Sequence, residues 1–312
     1  MDNKRNGLLE VYRLLICFWP LYFHNFLPAR FDRSVFGYAE LSLDFFFIIS
    51  GLFLMRIYRR EKDTPVLKGA CKITFGRVRP IIFTMAFIAV FNFTCVLLFV
   101  KENYYDAIHL LFRYWWFILF LAVAVGVFYI FYRLLKREWL FAIFLALLGI
   151  GAAVAHYFVA IARTLPISLQ FYTRTLCFIP LGILLSFIPP LRWKRFNINT
   201  VMTVILALTL LYLAYKQSDF PSGVGMIVIF ASLVYFSLGT PVVGRVFDLI
   251  GQLSVRVYLY MSFITMFFIL GITDGATLFL IDVSVAVIDV LVTNLIMTGM
   301  KFKAKRKAEN SK

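Results

Sequence analysis

Charge is what this sequence has least of. Only 15% of its 312 residues are Asp, Glu, Lys or Arg, against 62% hydrophobic and 18% aromatic. So little polar material cannot cover the surface of a water-soluble domain, and a polytopic membrane protein is implied instead. Acidic residues are scarcest, 16 against 32 basic, for a formal net charge of +16. The basic residues fall in short runs between apolar stretches, so the partner this charge implies is a lipid bilayer and not nucleic acid. Four cysteines, Cys17, Cys71, Cys95 and Cys177, are scattered without metal or disulfide spacing, and no metal site is expected. No small-residue cleavage site follows the opening Met-Asp-Asn-Lys-Arg, so the first apolar run reads as a retained helix. Neither an internal repeat nor a low-complexity tract is present. One transmembrane domain over 1–300 and a basic cytoplasmic tail over 301–312 are expected, the tail disordered.

Crossing a ~30 Å hydrocarbon core takes about 20 apolar residues in a helix. Ten stretches qualify, at 8–28, 38–57, 80–100, 115–132, 138–157, 170–188, 197–215, 222–240, 249–271 and 276–300. The expected fold is therefore all-α, a bundle of about ten transmembrane helices. Threading these alternately from a cytoplasmic N-terminus puts most of the basic residues inside. The inner segments then hold Arg56, Arg59, Arg60, Lys62, Lys68, Lys72, Arg77 and Arg79; Arg133, Lys136 and Arg137; Arg192, Lys194 and Arg195; and the tail from Lys301. Both termini are thus expected in the cytoplasm. Tyr104, Tyr105, Trp115 and Trp116 suit an outer aromatic belt, and Trp139 and Trp193 an inner one. The stretch 56–79 is the longest hydrophilic one. With Pro65 and Gly69 inside it, a short or broken amphipathic helix is predicted there.

Ionisable groups inside apolar spans are costly, so they must face protein or water. In the first span Arg13 and His24 are eleven positions apart. At about 100° per residue they return to within about 20° of one face, about 16 Å apart along the axis. Pro20 lies between them and can kink the helix. Glu10 is three residues before Arg13, within pairing reach, and could either orient it or take part in function. Asp44 in the second span falls at a depth near His24. A carboxylate beside an imidazole fixes its tautomer and suits it to act as a general base; the alternative is an ion pair that only locks the two helices. Glu40, nearer the interface, reads as solvated.

Ser50-Gly51 ends a bulky run, Phe45 to Ile49. Small residues permit close helix approach, or they open a narrow channel for an acyl chain or pantetheine arm. Arg77 and Arg79 precede Pro80, which suits a helix start. They sit where a phosphate-bearing cytosolic ligand would arrive, although positive-inside anchoring explains them equally well. His109 and His156 read as solvated interfacial residues. Arg256 with Asp282 and Asp289 reads as a buried interhelical pairing of structural character.

These residues resemble the acyltransferase-3 family of integral membrane acyltransferases, bacterial enzymes that mostly acylate surface carbohydrate. The likeness rests on Glu10-x-x-Arg13 with His24, on Asp44-Phe-Phe-Phe-Ile-Ile-Ser50-Gly51, and on Arg77-Val-Arg79-Pro80. Weaker echoes follow at Trp116, at Arg174 through Gly182, and at Gly251-Gln-Leu-Ser254 with Tyr258-Leu259. Met261 stands where many members carry a second histidine, and Lys72 is the one basic residue a few positions before Arg77. The resemblance implies a multi-pass inner-membrane enzyme that moves an acyl group, acetyl foremost, from cytosolic acyl-CoA to a hydroxyl of a surface or lipid-linked carbohydrate. Acyl-CoA would be a co-substrate, with no permanently bound cofactor. His24, Asp44 and Arg13 would be catalytic, and Arg77, Arg79, Ser50 and Gly51 would hold the donor. A transporter of an anionic substrate or acyl donor, and a scaffolding membrane protein, are the other two classes these residues allow.

Overall fold

The computed structural model describes residues 7–26, 41–99, 115–162, 167–189, 201–202, 204–205, 208, 223–238, 244–269, 271 and 274–309. Among them regular structure is helical throughout, with no strand. The helices are α1 (Gly7–Phe26), α2 (Leu41–Leu52), α3 (Leu54–Arg60), α4 (Val66–Val78), α5 (Ile82–Phe99), α6 (Trp115–Leu135), α7 (Glu138–Ala162), α8 (Ile167–Leu185), α9 (Gly223–Leu238), α10 (Arg245–Ile269) and α11 (Gly275–Glu309). A 3-10 turn, Arg79–Ile81, joins α4 to α5. The expected span at 197–215 lies mostly outside the described residues. So do Glu40, Tyr104, Tyr105, His109 and Trp193, and the side chains of Pro20, His24, Trp115, Trp116, His156, Met261 and the basic tail.

Among the described residues, two helical stretches are long and apolar enough to cross a membrane by length and composition alone, Glu138–Ala155 and Gly275–Ile296. Val66–Val78 and Ile82–Leu98 make a third if this pair, bent by 58°, is one span. Among the described residues, shorter apolar stretches are Phe120–Leu135, Tyr172–Leu185 and Val228–Leu238. Outward faces are nonetheless apolar where a soluble protein would be polar. On α7 the residues Ile143, Leu147, Ile150 and Val154 form an exposed stripe at helical spacing, with Phe141 and Leu145 buried behind it. Phe83, Phe87, Val90 and Leu97 do the same on α5. Such faces are compatible with a membrane protein.

α2 is short, 12 residues, and sits at the centre. Phe45, Phe46, Phe47, Ile48 and Ile49 are all buried, so it is covered on every side, as its uniformly apolar sequence requires. Its long partner is α8, and the two run parallel, with Asp44 level with Arg174 and Gly51 level with Gly182. Parallel is the relative direction that alternate threading gives the second and sixth expected spans. Glycine is required at this crossing. A Cβ on Gly51 would meet the Ile179 carbonyl oxygen, and one on Gly182 the Ile48 carbonyl oxygen. The close-approach reading of Ser50-Gly51 therefore holds for Gly51. α1 packs mainly on α10, α4 on α6, and α10 on α11 and α5.

The predicted helix inside 56–79 is α4. Pro65 caps it in an extended conformation, and Pro80 lies in the turn that redirects the chain into α5. The tail departs from expectation: α11 continues as one 35-residue helix through Lys301 to Glu309. Met, Lys, Arg, Ala and Glu are good helix formers, and no proline after Gly275 interrupts them. Between α6 and α7 the chain turns in two residues, with Lys136 at a φ of 56°.

The turn between α3 and α4 is fastened through Glu61. Its carboxylate accepts from Lys72 Nζ at 2.7 Å and from Thr64 Oγ1 at 3.1 Å, and its carbonyl accepts from the Tyr129 hydroxyl at 2.6 Å. Arg133 Nη1 donates to the Thr64 carbonyl at 2.7 Å. The Lys72 hydrogen bond is the main cause that holds the Glu61 carboxyl below its usual range. A depressed carboxyl contributes stability that is present above its unfolded pKa and is lost as pH falls through the folded one. Hydrogen-exchange protection across 61–72 is therefore expected to weaken as pH drops below about 4, where a free glutamate protonates. Glu61→Gln should flatten that acid-side change. An unaltered profile in the variant would show that another group carries it.

Candidate functional site

A cavity of about 250 Å³ opens at the end of the bundle where α1 and α10 begin and α2 and α4 end. Three arginines line it, Arg13 from α1, Arg77 from α4 and Arg256 from α10. Ser50, Gln252 and Tyr258 add polar atoms, and Phe46, Ile81, Leu121 and Val255 add apolar wall. No carboxylate is among the described residues of the lining. Guanidiniums around a part-apolar cavity suit a ligand with anionic and apolar parts, although Arg13 and Arg256 each share their charge with a carboxylate behind the lining, Glu10 and Asp289.

Each arginine is held differently. Arg13 Nη1 donates to Glu10 Oε2 at 2.6 Å, the pairing that the three-residue spacing predicts. Its guanidinium also stands over the Phe46 ring, 5.1 Å from the centroid. Arg13 Nε is buried without an acceptor among the described residues. Arg256 is buried and donates through Nε to Asp289 Oδ2 at 3.0 Å and through Nη1 to the Gln252 carbonyl at 3.3 Å. Asp289 is fixed in turn by Thr84 and Thr293, whose hydroxyls donate at 2.6 and 3.0 Å. Asn294 Nδ2 holds the Gln252 amide oxygen at 3.1 Å. Arg256 therefore reaches the cavity on a rigid mount built from α5, α10 and α11. Arg77, one residue from the end of α4, is half-buried.

The expected site residues thus divide. Arg13, Ser50 and Arg77 meet at one cavity, with Glu10 behind Arg13. Arg79 does not line it; it is exposed in the 3-10 turn, because two residues of helical backbone carry it round to the side opposite Arg77. Gly51 faces α8. Asp44 is buried away from the cavity in a two-bond pair with Arg174, Nε to Oδ1 at 3.0 Å and Nη2 to Oδ2 at 2.8 Å. His24 lies on α1, eleven residues or about 16 Å of helix beyond Arg13, and its side chain is outside the described residues.

Two residues that sequence reasoning undervalued matter here. Arg256 does form the expected pair with Asp289, yet it also lines the cavity. Its signal was available, since an arginine inside an apolar span raises the same question as Arg13. Arg174 was visible only as part of a weak echo, although it too is a cation within an apolar stretch. The chain matches no family model, no curated protein and no solved structure.

Proposed function

We propose that this chain is a membrane O-acyltransferase that moves an acyl group, acetyl foremost, from cytosolic acyl-CoA to a hydroxyl of a surface or lipid-linked carbohydrate. In this reading ten helices span the inner membrane, with both termini cytoplasmic. The observation that carries the reading is the cavity where Arg13, Arg77 and Arg256 converge. A CoA ester joins phosphates to a slender, less polar arm, and the lining joins guanidiniums to apolar wall. The phosphates dock on the arginines, and the arm runs along the α1 face toward His24. There His24 takes the proton of the acceptor hydroxyl. The hydroxyl oxygen bonds to the thioester carbonyl carbon, the C–S bond breaks, and the thiolate leaves to become the CoA thiol. Transfer through an acyl-histidine would use the same two groups in sequence.

Acetyl-CoA binding to the purified, detergent-solubilised protein tests the donor half. Losing a hydrogen bond to a charged group costs about 1.5–3 kcal/mol. Arg77→Ala should therefore weaken binding about 10- to 100-fold. Arg79→Ala, which removes a side chain outside the cavity, should leave Kd within about threefold, a change worth under 1 kcal/mol. No binding by a folded parent protein would overturn the CoA reading. Binding and movement of an anion without a covalent product would make the protein a transporter.

A further inference from the structure

α4 presents a surface that the acyltransferase reading does not use. Leu67 and Phe75 are 74% and 59% exposed, and Cys71 between them is exposed too. Spaced by four, the three form one stripe. Lys68 and Lys72 are exposed along one edge of it, and Arg79 continues that edge into the turn. Gly69, Ala70 and Ile73 are buried on the far side. That side is pinned to α6, where Gly69 abuts the Tyr129 ring and Thr74 donates to the Ala122 carbonyl at 3.1 Å. The helix thus has three faces: one against protein, one apolar and open, one basic and open.

We propose that α4 is an interfacial helix that takes anionic phospholipid headgroups. Leu67, Cys71 and Phe75 enter the acyl boundary, and Lys68 and Arg79 meet the lipid phosphates. Lys72 contributes less, because Glu61 neutralises it at 2.7 Å. Two observations choose lipid as the occupant. The apolar stripe leads through one short turn into α5, whose own exposed stripe of Phe83, Phe87 and Val90 suits hydrocarbon. The 58° bend between α4 and α5 turns α4 from the direction of a span toward the membrane plane. Charge then complements the surface, since an interfacial helix carries its cations beside its apolar face and gains from anionic headgroups. Lipid at this helix does not depend on CoA chemistry, only on residence in a membrane.

Cys71 is a natural reporter position. The full-length chain, with a fluorophore on Cys71 and Cys71→Ser as the labelling control, would be placed in nanodiscs of fixed phosphatidylglycerol and phosphatidylcholine content. Only one lipid at a time is brominated, so the composition never changes. Both brominated lipids should quench, phosphatidylglycerol more strongly. Lys68→Gln/Arg79→Gln should lower that preference about threefold or more. Leu67→Gln/Phe75→Gln should reduce quenching by both lipids. Equal quenching by the two lipids in the parent protein would overturn headgroup selection. No lipid quenching, with free access of aqueous iodide, would remove α4 from the interface altogether. A probe shielded from both lipid and iodide would assign the face to a protein partner instead. None of these readouts involves acetyl-CoA, so the donor-binding result stands or falls separately.

Discussion

His24→Ala is expected to abolish acyl transfer while leaving acetyl-CoA binding close to that of the parent protein. A positioned general base is worth about 10²- to 10⁴-fold in rate, and a nucleophilic histidine would be worth at least as much. The expectation rests on separation. Arg13, Arg77 and Arg256 line a cavity at one end of the bundle, and His24 lies about 16 Å away along α1. A residue that acts on the reacting carbonyl, far from the phosphates, should change turnover and not donor affinity. Single-turnover transfer of a radiolabelled acetyl group, with binding measured on the same preparation, separates the two. Transfer retained in the variant would remove His24 from the chemistry. Simultaneous loss of binding and transfer would place His24 in the donor site or in the fold.

The second large effect is expected on stability, from the pair joining α2 to α8. Asp44 and Arg174 are both buried and share two hydrogen bonds of 3.0 and 2.8 Å. Removing one partner leaves a buried charge without compensation, which costs about 3–5 kcal/mol. Asp44→Ala and Arg174→Ala should each lower the detergent melting temperature sharply. Asp44→Leu/Arg174→Met removes both charges and fills similar volume, and such exchanges are often close to neutral. It should therefore recover most of the loss. Two single variants that melt with the parent would show that the pair does not hold the helices. The double variant also isolates any chemical role. If it is stable yet inactive, the pair contributes to transfer beyond holding the two helices together.

What the sequence reveals here is local, and what it conceals is choice of partner. Pro65 and Pro80 mark the two ends of α4 because a proline lacks an amide hydrogen and restricts the residue before it. The Glu10–Arg13 pair follows from helical spacing alone. Apolar stretches of sufficient length announce helices: nine of the ten expected stretches overlap described helices, of which two or three are long and apolar enough to cross a membrane. By contrast, Asp44 and Arg174 are 130 positions apart, and no periodicity connects them. Depth alone suggests His24 as a neighbour of Asp44, and the His24 side chain lies outside the described residues. Arg77 and Arg79 look equivalent in the chain and diverge because residues two apart on helical backbone point to opposite sides. The helical tail has a related cause: basic composition suggests solvation, but it does not oppose helix continuation from an already formed α11.

The seam between α2 and α8 has a mechanical consequence. It is fastened at two heights, by the ion pair at Asp44 and Arg174 and by backbone contact at Gly51 and Gly182. Two fixings about 10 Å apart along one line, some seven residues of helix, remove both tilting and sliding. Ser50 sits beside the second fixing, so the α2 wall of the cavity is a stationary reference. The wall without such bracing is the one where α4 meets α5 at a bent turn. Ser50 and Arg256 thus approach the cavity from two braced walls, and Arg77 approaches it from the end of α4, beside the bent turn into α5.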